Sequence, residues 1–174
     1  MAKDSTKTVG LKRPVDYQIG LRVSDIANIR SVRLISCKCS HTLSTVGRAH
    51  SIAMDCQVKT QADRKNHCIL VFPRFRLKAF PSDKTSRDCD AVIEAEFMLV
   101  YAVDTLQEVK QENLNVFGQT NGIFNAWPYW REFVQSATAR MGLPPLTLPA
   151  YRLPPPRHSK LSARAKRTAA IGHT

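Results

Sequence analysis

A chain of 174 residues fits a single domain, and a hydrophobic content of 43% supplies enough apolar area to fold, which excludes a disordered protein. No stretch approaches the roughly 18 consecutive apolar residues that a bilayer span needs, and Met1 to Lys12 lacks the apolar segment of a signal peptide, so a cytoplasmic protein without membrane insertion is expected. The net charge of +12 is uneven: no acidic residue follows Glu132, and Arg152, Arg157, Lys160, Arg164, Lys166 and Arg167 supply half of the excess.

Residues 1–14 are polar and charged with no apolar period, and they read as a loose N-terminal arm. Ile19, Val23, Ile26 and Ile29 recur at helix-like intervals, with Ser24 as an N-cap candidate, which suggests a short helix running into a strand. Four extended segments follow, roughly Ser31–Leu43, Ser51–Gln61, Cys68–Phe80 and Ala91–Val103. In the second, Ile52, Met54, Cys56 and Val58 share one face, opposite Asp55, Gln57 and Lys59. In the fourth, Ile93, Ala95, Phe97, Leu99, Tyr101 and Val103 share a face opposite Glu94 and Glu96. One side of the sheet is therefore built for burial. Pro73 removes a ladder donor from the third segment and predicts an edge strand or a bulge there. The short polar linkers suit antiparallel neighbours, and four strands in series suggest a meander.

Beyond Asp104 the period becomes helical: Leu106, Val109, Leu114, Val116 and Phe117 precede Gly118. A stronger stripe of Trp130, Phe133, Val134, Ala137 and Met141 then predicts a helix at about Pro128–Met141. Pro128 suits its first turn and Gly142 its C-terminal stop. Six prolines between Pro144 and Pro156 exclude regular helix there, and the domain is expected to span 15–153, followed by a basic, proline-rich, disordered tail at 154–174.

Two linked strings carry a family resemblance: Trp127-Pro128-Tyr129-Trp130-Arg131-Glu132-Phe133-Val134, then Arg140-Met141-Gly142-Leu143-Pro144-Pro145-Leu146-Thr147-Leu148. They resemble the aromatic-Pro-Tyr-x-Arg-Glu segment and the following Arg, Gly, Pro and alternating leucines of the SecB export-chaperone family. The resemblance implies an α+β fold, with a four-stranded antiparallel sheet, a long C-terminal helix packed on it, and assembly as a dimer of dimers. It also implies a non-enzymatic, ATP-independent holdase that binds unfolded or pre-secretory polypeptides, needs no cofactor and forms a homotetramer. Typical members are acidic and carry a zinc-binding tail that engages SecA. This chain is basic and has no cysteine in its tail, which argues against SecA as a partner and favours the variant role of protecting an aggregation-prone antitoxin in a toxin–antitoxin pair.

Candidate client-binding residues are Phe72, Phe75, Leu77, Phe80, Trp127, Tyr129, Leu143, Leu146 and Leu148. Candidate oligomer-interface residues are Trp130, Arg131, Glu132, Phe133, Val134, Ala137 and Met141. Core packing competes for the aromatic helix stripe, and a solvated pair of helix charges for Arg131 and Glu132. Phe75 and Leu77 stand opposite Arg74, Arg76 and Lys78 on an extended strand, so a core side, a client wall and nucleic-acid stacking compete for them.

Cys37, Cys39, Cys56, Cys68 and Cys89 are an odd set in a chain without a secretion signal, and they read as reduced thiols. Cys37-x-Cys39-x-His41 does not make a metal site, because alternate strand residues stand about 7 Å apart while zinc ligands converge to about 2.0–2.3 Å from the metal. A glycine-rich phosphate loop, Gly-x-Ser-x-Gly and His-Glu-x-x-His are absent, so no catalytic residues are assigned. The basic tail from Arg157 to Arg167 keeps a rival reading open, in which the protein binds nucleic acid by counterion release; a solubilising arm and an acidic protein partner are the other readings of that tail.

Overall fold

The structure is a computed structural model, and it describes residues 23–42, 50–82, 89–107 and 109–152. The N-terminal arm and the tail at 154–174 lie outside the described residues. Four strands, β1 (Ala27–His41), β2 (His50–Asp63), β3 (Cys68–Pro81) and β4 (Ala91–Val103), form one antiparallel sheet in the order β1-β4-β3-β2. β2, β3 and β4 are a meander, but β1 lies beside β4 instead of β2. The serial meander expected from the sequence is thus corrected to a Greek-key order, in which the first strand pairs with the edge of β4 that the meander leaves free.

β4 shows how alternation becomes a core. Ala91, Ile93, Ala95, Phe97, Leu99, Tyr101 and Val103 are all buried, and each residue between them is half-buried. Pro73 does not mark an edge or a bulge: it is fully buried in a central strand, paired with Val58 of β2. On its other side Val71 pairs with Leu99 and Arg74 with Glu96, so the register runs on unbroken while Phe72 and Pro73 form no bridge to β4. The missing donor is absorbed by a short lapse of one ladder. The irregularities fall instead in edge strand β1, where the register with β4 shifts between Ile29 and Ser31 and between Leu34 and Ser36. Bulges of this kind twist an edge away from unwanted pairing.

The helical layer is longer than the stripe predicts. α1 (Gln111–Phe117) passes through a π turn at Gly118–Gly122 directly into α2 (Ile123–Arg140). Pro128 is therefore inside α2 and not in its first turn. Its missing N–H leaves the Phe124 carbonyl without a helical donor, a loss that water can make good because Phe124 is half exposed. At the other end Gly142 adopts φ +71°, Gly142 N–H bonds to Ala139 O and Leu143 N–H to Thr138 O, which is the Schellman stop.

The two glycines of the π turn set how closely the helix meets the sheet. A Cβ on Gly118 would stand 2.1 Å from Thr60 Oγ1, and one on Gly122 2.6 Å from Val71 Cγ1. Gly118→Ala and Gly122→Ala are each expected to destabilise the fold by about 1–3 kcal/mol through overpacking, read as a lower midpoint of urea unfolding. Unchanged midpoints would show that the layers separate freely.

Candidate functional site

The helical layer packs on β2, β3 and β4. Over that area the core is aromatic: Phe75 stacks on Trp130 at 5.3 Å, meets Phe97 edge-on at 6.2 Å and Trp127 edge-on at 6.0 Å. Trp130 is fully buried and its indole N–H faces Met54 Sδ at 3.3 Å. Tyr101 meets Phe117 edge-on, accepts a hydrogen bond from Asn125 Nδ2 at 3.0 Å, and burial pushes its phenol up to about 12. Phe75, Phe97, Tyr101, Phe117 and Trp130 hold the sheet and helix together from inside the core.

Beyond the helical layer, no described residue covers the same face of the sheet along β1. In β1, Ile29 and Leu34 pair with Tyr101 and Phe97, so their side chains share the helix-facing side, yet they are 47% and 46% exposed. Cys37 and Cys39 continue that side opposite Ala95 and Ile93, also exposed, while Val32, opposite Leu99, is half-buried against the core. The bulge residue Ile35 is exposed as well. An apolar stripe about one strand wide thus continues the core outward, uncovered among the described residues. Large exposed apolar patches of this kind mark interaction surfaces.

The opposite face of the sheet carries a charged strip among half-buried apolar residues such as Leu70, Val92, Met98 and Val100. Arg74 pairs with Glu96 and Arg76 with Glu94 across β3 and β4, with Lys78 next in line. Such exposed pairs do little for stability, and they solvate that face.

Set against this geometry, the sequence-predicted residues divide. Phe75 and Leu77 are buried on the core side of β3 and are removed from the client-binding set; strand alternation turns them toward the helix. Trp127 and Leu148 are buried too, the first between Phe75 and the segment that carries the second. Phe72 and Phe80 lie half-buried on the charged side, and Leu143 and Leu146 are half-buried beyond the helix. Tyr129 is 49% exposed. Among the oligomer candidates, Trp130, Val134 and Ala137 are corrected to core of this chain, because the 3.6-residue stripe faces its own sheet. Phe133 and Met141 are half-buried and Glu132 is exposed. Arg131 is not paired with Glu132 but donates through Nε to Leu148 O at 2.7 Å. Leu34 and Phe124, the latter 50% exposed, carry no signal in the sequence, and Ile29, expected in a helical stripe, lies in β1 instead. The bulges interrupt the period-two pattern of β1 that would have exposed Ile29 and Leu34 as a stripe.

The thiols are not equivalent. Burial, with Asp55 alongside, pushes the Cys56 thiol up to about 12, and burial followed by Cys37 raises Cys39. Only the thiolate is nucleophilic, so at pH 8 a thiol-alkylating reagent is expected to modify exposed Cys37 at least roughly a hundredfold faster than Cys56, as read by peptide mass mapping. Equal rates would show that β2 opens readily. Among the described residues, no group of three or more His, Cys, Asp or Glu side chains is placed to hold a metal ion. No helix of the described residues is long and apolar enough to cross a membrane. A depression of about 540 Å³ beside α1 is lined by Thr60, Arg64 and Gln111 among others, and the last two already donate to the carbonyls of Leu106 and Thr60.

No family model matches the chain. It is similar to two proteins of Mycobacterium tuberculosis, SecB-like chaperone MT2006 of strain CDC 1551 / Oshkosh and SecB-like chaperone Rv1957 of strain H37Rv. Each is 28% identical over 159 residues, 80% of this chain and 85% of the relative. The fold matches the solved structure of the Mycobacterium tuberculosis Rv1957 SecB-like chaperone in complex with a ChAD peptide from the Rv1956 HigA1 antitoxin, with a TM-score of 0.67. That match has 23% identity and covers 77% of this chain and 97% of the other. The resemblance carried by the two C-terminal strings thus extends over most of the chain, and the expected four-stranded antiparallel sheet with a C-terminal helix is the SecB-like fold.

Proposed function

We propose, taking as premise a chain that is SecB-like in sequence and in fold, that it is a chaperone holding unfolded polypeptide segments, with an aggregation-prone antitoxin as the client class. The observation that supports this most directly is the apolar side of β1, where Ile29 and Leu34 are each nearly half exposed and uncovered among the described residues, on a sheet whose other side carries the Arg74–Glu96 and Arg76–Glu94 pairs. The similar chaperone solved with an antitoxin peptide points to the same kind of ligand.

The physics of holding needs no nucleotide. Apolar client side chains gain about 25 cal/mol for each Å² taken from water, and several weak contacts along one flexible chain add by avidity. A binding surface that recognises apolar area, and not a sequence, stays open to clients that have not yet folded. Assembly into a dimer of dimers belongs to this proposal, since it would multiply such surfaces and cover strand edges. So does a non-catalytic role: the relatives are chaperones. The rival nucleic-acid reading of the basic tail has no support from these relatives, and the tail lies outside the described residues.

Mixed with a chemically unfolded, unrelated protein, the chain is expected to suppress light scattering at stoichiometric amounts without nucleotide. Co-expressed with an aggregation-prone antitoxin, it is expected to keep the antitoxin soluble. No suppression in molar excess, and no solubility gain, would overturn the proposal.

A further inference from the structure

The residues after α2 do not leave the helix. The Schellman turn at Gly142 reverses the chain, and residues 143–152 lie back along one flank of α2 as an extended strap. Pro144, Pro145 and Pro149 keep it from coiling. Three α2 side chains at spacings of four and seven residues, which place them on one flank, hold it. Trp127 Nε1 donates to Pro149 O at 2.9 Å, Arg131 Nε donates to Leu148 O at 2.7 Å, and Thr138 Oγ1 accepts from Leu146 N–H at 3.0 Å. All three contacts reach the strap's main chain and none depends on its side-chain identity. The side chains enter by apolar fit: Leu148 is 6% exposed, Leu146 and Tyr151 pack against the core, and the Tyr151 ring stands 5.2 Å from Trp127.

Backbone recognition together with apolar pockets is the means by which a groove takes extended peptide without regard to sequence. We infer that the Trp127–Arg131–Thr138 flank is a second polypeptide-binding site, occupied in cis by the strap, and that an extended client segment with apolar residues at alternate positions displaces the strap to bind there. The strap is then an internal competitor that lowers apparent client affinity by the fraction of molecules in which it is seated. It also shields Trp127 and Leu148, which would otherwise add to the exposed apolar surface of the empty chaperone. This inference rests on the holding function proposed above.

The probe is a fluorescein-labelled peptide with the sequence of residues 143–152, titrated into the full chain and followed by anisotropy. Leu148→Asp, which places a charge in the buried pocket and unseats the strap, is expected to bind the probe about tenfold more tightly than the unaltered chain or better. Arg131→Met combined with Thr138→Val, which loosens the strap but removes two of the backbone contacts, is expected to show no such gain. Leu148→Asp with native circular dichroism and no gain in probe affinity would overturn the inference. Should Leu148→Asp not fold, hydrogen exchange in the unaltered chain decides: excess unlabelled strap peptide is expected to accelerate exchange of the Leu146 amide, and an unchanged rate overturns the inference. Aggregation suppression by the unaltered chain is measured in parallel. Its presence without strap displacement removes only the second site, whereas its absence removes the holding function itself.

Discussion

Trp130→Ala is expected to cost about 3–5 kcal/mol, a large part of the 5–15 kcal/mol that holds a typical domain folded. Trp130 is the widest side chain fully inside the core: it stacks on Phe75 from β3, lies 6.2 Å from Phe133 on its own helix, and donates to Met54 from β2. Its removal leaves a cavity at the point where two strands and α2 meet, and the rigid aromatic neighbours cannot collapse into it. Trp130→Phe keeps the stacking and loses mainly the contact to sulfur, so a much smaller loss is expected. Urea unfolding followed by circular dichroism measures both, and equal costs for the two variants would show that the stack contributes little.

The second large effect concerns function. Ile29→Asp with Leu34→Asp replaces the two exposed apolar side chains on the helix-facing side of β1 by charges. Because both residues are about half exposed and contribute little core, folding is expected to survive. Together they are expected to lose about 2 kcal/mol of client binding, roughly thirtyfold in affinity. Light scattering of the variant alone separates loss of client binding from loss of assembly: an unchanged mass with lost aggregation suppression assigns the effect to the client surface. Full suppression by the doubly charged variant would move the client surface elsewhere.

Much of the architecture was legible because it depends on local rules. The period-two pattern of β4 names its buried face from Ile93 to Val103, and the stripe from Trp130 to Met141, ended by Gly142, marks the C-terminal half of the long helix. What could not be read depends on contacts distant in sequence. Pro73 is tolerated in a central strand because the Phe72–Pro73 step drops out of one ladder only, a compensation visible only once β4 is in place. Pro128 sits within α2 because tertiary packing carries the helix through a proline that propensity alone places at its start. The same holds for the candidate site. Alternation separates Phe75 from Arg74, but only the position of α2 decides that Phe75 is core while Leu34, on the same side of the sheet, is open. The leucines at 146 and 148 were legible as a pair; that their main chain is held by Arg131 and Thr138 was not.

The most direct test of the open β1 surface is site-specific photocrosslinking to an unfolded client. A photoreactive residue is placed at Leu34 in one protein and at Arg76, on the charged side of the sheet, in another. Client adducts formed from position 34 and nearly none from position 76 are the expected result. Adducts that favour position 76, or that form equally from both, would contradict capture of unfolded chains by the apolar side of β1.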